Sequence, residues 1–208
     1  TPGRYENGIT RRSHKVGDKT FTEETLPVES VTEYFEHFPI LEIDYTFYRP
    51  LLESKGSPTQ NFHVLKSYRQ QMKKGDLVLL KAPQIVIARK LRRDGAFVEN
   101  ENYLNADIFT KQFYQPAVEI LGPCLQGIIF EQEYHVKNDR IPISKFSQDL
   151  DEFFSKIPKD KCYHIELRTE AYWVAPVFDV LKKYGVGLVF SHWTWLAPLR
   201  KQFSKVGA

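Results

Sequence analysis

The chain has 208 residues, 42% hydrophobic and 26% charged, the balance of an ordinary globular protein. A net charge of +3 permits an anionic partner without marking a nucleic-acid binder, and two widely separated cysteines, Cys124 and Cys162, argue against a disulfide framework or a zinc motif. No apolar run reaches membrane-spanning length and no secretory leader is visible, so a reducing cytoplasm and no membrane partner are expected.

Residues 1–25 are polar, rich in Gly, Arg, Lys and Thr, and lack apolar alternation. They are expected to be mostly loop ahead of a single domain over residues 26–208. The only methionine is Met72, so the natural start is expected to be missing. Residues 27–38 carry Val31, Tyr34, Phe35 and Phe38 at helical spacing. A strand follows over residues 40–48. Side chains alternate along a strand, so Glu42, Asp44, Thr46 and Tyr48 share one face and Leu41, Ile43, Tyr45 and Phe47 the other. Ser57-Pro58 reads as a cap and first turn of a helix that ends at Gly75.

The next strand starts at Leu77 and places Leu79 and Lys81 on one face. A basic loop, Arg89 to Arg93, comes after it. Residues 105–121 read as a helix kinked at Pro116. Residues 127–135 form a strand with Ile129, Glu131, Glu133 and His135 alternating against Phe130 and Gln132. His135 is expected in an exposed loop. Residues 144–157 are strongly amphipathic. Residues 162–168 form a strand with His164, Glu166 and Arg168 on one face. His164, early on that strand, reads as structural. A helix near residues 176–184 is capped by Gly185. The last strand, 186–193, puts Leu188, Phe190 and His192 on one parity, and a basic helix closes the chain.

Strands alternating with helices point to parallel right-handed crossovers. No glycine-rich turn follows any strand, so neither a dinucleotide nor a P-loop site is signalled. Polar residues recur near the C-terminal strand ends, where barrel enzymes place their chemistry. The fold expected is therefore α/β, a parallel (β/α) TIM-type barrel. Only five strands are legible, against about 250 residues in such barrels, so the barrel is expected to be incomplete in this chain.

The residues also resemble a known family. Leu41-Glu42-Ile43-Asp44-Tyr45-Thr46-Phe47-Tyr48 is similar to its V-E-I/G-N-x-T-F-Y segment, Leu80-Lys81-Ala82 to its strand ending in K-A, and Glu166-Leu167-Arg168-Thr169-Glu170-Ala171-Tyr172 in part to its E-F-R-H-x-S-W. The chain resembles the YecE-like proteins, domain of unknown function 72, over most of its length. That resemblance implies a TIM barrel and supplies no firm activity. Asp44 stands where the family usually has Asn, Ala88 in place of a His, Phe130-Glu131-Gln132-Glu133 in place of F-Q-L-P-P, and Tyr172 in place of Trp.

The candidate constellation is Glu42, Glu131, Glu166 and His192 as catalytic groups, with Asp44, Tyr48, Lys81, Arg168 and Trp193 binding substrate. The carboxylates and histidine suit a divalent metal that activates water. The basic loop, Lys81 and Arg168 suit an anion, and Trp193 with Trp195 a stacked base or sugar. The leading expectation is a metal-assisted hydrolase of a phosphorylated small molecule or nucleic acid. The alternatives are a metal-free, glycosidase-like carboxylate enzyme, and a non-catalytic barrel that binds an anionic ligand or partner. A purely structural reading pairs Glu42 with Lys81 and Glu166 with Arg168 inside the barrel.

Overall fold

The computed structural model describes residues 10–25 and 31–206. The first element departs from expectation. β1 (Thr10–Val16) and β2 (Lys19–Thr25) form an antiparallel hairpin, not a loop. Gly17, at φ +62°, supplies the left-handed turn that so short a hairpin requires. The stretch from residue 26 to 30, the start of the expected first helix, lies outside the described residues; α1 runs Thr32–His37.

The centre is a parallel sheet of five strands: β3 (Ile40–Ile43), β4 (Leu77–Lys81), β7 (Leu125–Gln132), β8 (Tyr163–Leu167) and β9 (Gly187–Val189). Their spatial order is their order in the chain. β3 and β9 are its two edges and do not pair with each other, so the sheet is open. Between β4 and β7 lies a second hairpin, β5 (Lys90–Arg93) and β6 (Ala96–Glu99). The expected basic loop is thus a strand. Asp94-Gly95, both at positive φ, make its turn.

Register divides the sheet into two unlike faces. Ile43, Val78, Leu80, Ile128, Phe130, Tyr163, Ile165 and Leu167 are buried in one hydrophobic cluster with the helices. Those helices are α3 (Gln60–Gln71), α6 (Gln115–Leu121), α7 (Ile143–Lys156) and α8 (Ala175–Tyr184), with α2 (Tyr45–Tyr48), α4 (Gln84–Ile87) and α5 (Ala106–Ile108) as short turns. Phe130 is the hub, with ring contacts to Phe109, Phe153, Phe154 and Tyr163. The other face carries Glu42, Leu79, Lys81, Ile129, Glu131, His164 and Glu166, none of them in that cluster. His164 lies over two glycines there: a Cβ on Gly187 would stand 2.5 Å from its ring. Its Nδ1 is 2.9 Å from the Cys162 carbonyl, in keeping with the structural role expected of it.

Pro116 acts through the helix before it. Without an N–H it cannot bond to the carbonyl four residues back, and its ring crowds that turn. The chain widens into a π-helix over Phe109–Tyr114. The Gln112 carbonyl instead accepts from the Leu51 and Leu52 amides at 3.1 and 2.9 Å. Elsewhere the helix after β3 starts later than Ser57-Pro58 suggests: Thr59 is its cap residue.

Candidate functional site

The site sits at the C-terminal ends of the strands. β3 stops at Ile43, shorter than expected, and the chain turns into α2 from Asp44. Thr46, fully buried, donates to the Lys81 carbonyl at 2.8 Å and so ties that turn to the end of β4. Asn61 from α3 holds it from the other side, donating to the Tyr45 and Arg49 carbonyls at 3.1 and 2.8 Å. Asp44 thereby reaches the site from a helical turn instead of a strand face. At the end of β7 and just past the end of β8, Gln132 and Thr169 exchange hydrogen bonds of 3.1 and 3.2 Å, which locks the backbone next to Arg168.

Six charged side chains converge. The Lys81 ammonium lies 2.8 Å from Asp44 Oδ1, 2.8 Å from Glu131 Oε2 and 3.3 Å from Glu42 Oε1. Arg168 contacts Glu131 Oε1 through Nη1 at 2.5 Å and donates from Nε to Glu166 Oε1 at 2.9 Å. The two pairs of the structural reading, Glu42 with Lys81 and Glu166 with Arg168, both form. They belong to one chain of alternating charge with Glu131 at its middle. Burial opposes the charge on Lys81, but its hydrogen bonds to Asp44 and Glu131 outweigh this and hold its pKa above the ordinary lysine value. Four carboxylates face two cations, so the cluster carries a surplus of negative charge. Among the described residues no three His, Cys, Asp or Glu side chains converge as metal ligands. An open cavity of about 230 Å³ is lined by Asp44, Phe47, Tyr48, Lys81, Glu131 and Arg168. Tyr48 is at its exposed rim.

Two expected residues stand differently. His192 is exposed, beyond the end of β9, and no hydrogen bond or ion pair joins it to the cluster among the described residues. Its parity also differs: Leu188 is in register with Ile165, on the helix-packed face, while Val189 is level with Glu166. Trp193 does approach, its ring centre 5.4 Å from the Arg168 guanidinium.

Beside the cluster lies a buried group the sequence reading misplaced. β7 ends at Gln132, and His135 folds inward instead of facing solvent, 5% exposed. Its Nδ1 is 3.0 Å from the Tyr172 hydroxyl and its Nε2 2.9 Å from Glu133 Oε1. The Ile141 amide already donates to that hydroxyl at 3.1 Å. The Glu133 carboxylate can only accept, so the N–H of the neutral imidazole sits on Nε2, and Nδ1 then accepts the proton of the buried Tyr172 hydroxyl. Burial pushes the Tyr172 hydroxyl pKa up, in keeping with that donor role. No local pattern marked this group, since Tyr172 comes from a turn 37 residues away.

Comparison with known proteins places the chain. Residues 11–204 match the family model described as protein of unknown function DUF72. The chain belongs to this family. Two crystal structures of a DUF72 family protein from Enterococcus faecalis V583 are similar to it at 14% identity, with TM-scores of 0.46 and 0.45. Each match covers 77% of this chain, which spans 58% and 53% of those two chains. No curated protein matches. DUF72 membership names no activity, so function rests on the site itself.

Proposed function

We propose that the strand-end cluster binds a neutral, hydroxyl-rich ligand of the carbohydrate class, and that the protein is a metal-free carboxylate enzyme of glycosidase type. One observation carries this: which polar atoms of the cluster are already paired. Both oxygens of Glu131 are taken, one by Lys81 and one by Arg168. Lys81 has a carboxylate partner for each of its three N–H groups. The atoms left for a ligand are one oxygen each of Glu42, Asp44 and Glu166, and the outer N–H groups of Arg168. A sugar hydroxyl both donates and accepts and fits that mixture. A phosphate would meet the surplus negative charge.

The same pairing ranks the metal-assisted phosphate or nucleic-acid hydrolase second, because the carboxylates a metal would need are turned onto Lys81 and Arg168. Within the carbohydrate reading, Glu166 is the reacting carboxylate and Glu131 the group that positions Arg168 and Lys81. His192 takes no part. The reading includes a barrel: sequential strand order with the helices packed on one face is the arrangement of a barrel arc, whose other face would line the interior. It also sets the protein in a reducing cytoplasm, supported by two buried cysteines that form no disulfide.

Titration calorimetry tests it with neutral mono- and disaccharides against their phosphorylated counterparts, with and without a chelator. Neutral sugars should bind better, with no effect of chelator, and Glu166→Gln should weaken them roughly tenfold. Tighter binding of the phosphorylated forms that needs a divalent ion would restore the hydrolase reading. No carbohydrate binding at all would leave the non-catalytic barrel.

A further inference from the structure

Aromatic side chains continue outward from the carboxylate cluster in an unbroken path. Trp193 lies against Arg168. Tyr134 meets the Trp193 ring at 5.5 Å between centres and stacks on Trp195 at 6.0 Å, with the planes 26° apart. Beyond Tyr134 opens a cavity of about 260 Å³ between two segments. One wall is the loop after β7, with Tyr134 and Val136. The other is the β5–β6 hairpin, with Lys90 and Phe97. Trp195 is 62% exposed and Phe97 72%. Neither contributes to the cluster, and large aromatics left in water beside polar groups mark binding surfaces.

We infer that this path and cavity form a second subsite, which takes the further units of an oligosaccharide whose first unit occupies the carboxylate cluster. The inference rests on the carbohydrate reading of that cluster. A sugar ring is amphipathic: its C–H face covers an aromatic ring while its hydroxyl edge stays free for polar atoms. The path supplies both. Aromatic faces alternate with the outer N–H groups of Arg168 at one end and the side chains of Lys90 and Glu133 at the other.

Single-stranded nucleic acid is the other polymer that uses aromatic platforms, but it also needs free cations along its backbone. Here Lys90 is ion-paired with Asp139 at 2.9 Å, while Arg89 keeps its charge and donates to the Asp139 backbone carbonyl at 3.0 Å, turned onto the protein's own backbone. The path also starts at a cluster with surplus negative charge, which repels phosphodiesters.

The test is tryptophan fluorescence and calorimetry on the full chain with gluco-, xylo- and chito-oligosaccharide ladders, from monosaccharide to hexasaccharide, and a single-stranded oligonucleotide as the competing probe. For the series that binds, affinity should rise roughly tenfold or more with length. Trp195→Ala and Phe97→Ala should each reduce the ratio of hexasaccharide to monosaccharide affinity, and together bring it near unity. Monosaccharide binding without any length dependence would overturn the second subsite and leave the first reading intact. Failure of every sugar would overturn both. Stronger, salt-sensitive binding of the oligonucleotide would replace the oligosaccharide with nucleic acid.

Discussion

Glu131 and Glu166 stand in register on neighbouring parallel strands, and one guanidinium, that of Arg168, contacts both. The two carboxylates are 7% and 6% exposed. Strands in a sheet lie about 4.8 Å apart, so without a cation between them two like charges would be enclosed side by side. Arg168 therefore supplies the positive charge that faces this enclosed pair, and the rest of the network is arranged around it. Lys81 adds a second cation to the buried Glu131 and also contacts the more exposed Glu42 and Asp44.

Arg168→Met should accordingly destabilise the protein by about 2–4 kcal/mol, the usual loss for a broken buried pair reduced because Arg168 is itself partly exposed. Adding Glu166→Gln to that variant should recover most of the loss, since it removes one of the two facing charges. Urea denaturation of the four proteins in the cycle gives the answer. A loss below about 1 kcal/mol would mean that water, not Arg168, solvates the pair.

Tyr172→Phe should cost about 1–3 kcal/mol. It removes one hydroxyl and leaves two buried partners unpaired, His135 Nδ1 and the Ile141 amide. The ring stacking of Tyr172 on Phe146, at 4.2 Å, would survive the change. Thermal or chemical denaturation measures the loss. A neutral result would show that the hydroxyl bonds are replaced by water, which conflicts with a side chain 1% exposed.

Asp160 should contribute to the acid limb of stability. Burial pushes its pKa up, but hydrogen bonds from the Tyr114 hydroxyl at 2.6 Å and the Cys162 amide at 3.0 Å win and hold it below the usual value. A carboxylate with a lowered folded pKa adds stability above its unfolded pKa. That contribution disappears as pH falls through the folded value. Asp160→Asn should thus lose about 1–2 kcal/mol near neutral pH, and its melting temperature should converge on that of the unaltered protein in the acid range. A gap between the two that stays constant with pH would contradict the assigned direction.

The alternation of Glu42, Lys81, Glu131 and Glu166 against a mostly apolar parity was legible because a strand has period two. A parallel sheet with helices on one face then leaves only the other face for charge. His192 failed for a matching reason. Its parity was read from a strand expected to run to residue 193, whereas β9 is three residues long and its face is set by pairing with β8. The β5–β6 hairpin was missed although Asp94-Gly95 signals one. The N-terminal hairpin was missed because its strands carry polar and threonine residues where alternation of apolar ones was sought.

Which residue types line each face of β3, β4, β7 and β8, where the longer helices fall and that the chain is α/β were fixed locally, by side-chain periodicity and turn chemistry. Those depend on neighbours a few positions away. That Glu131 takes both cations, that His135 is buried against Tyr172, and that Tyr134 joins Trp193 and Trp195 to the hairpin cavity was decided only by tertiary structure. Each of these depends on register between strands and on partners at least 34 residues distant, and nothing in a local pattern of the chain encodes such distances.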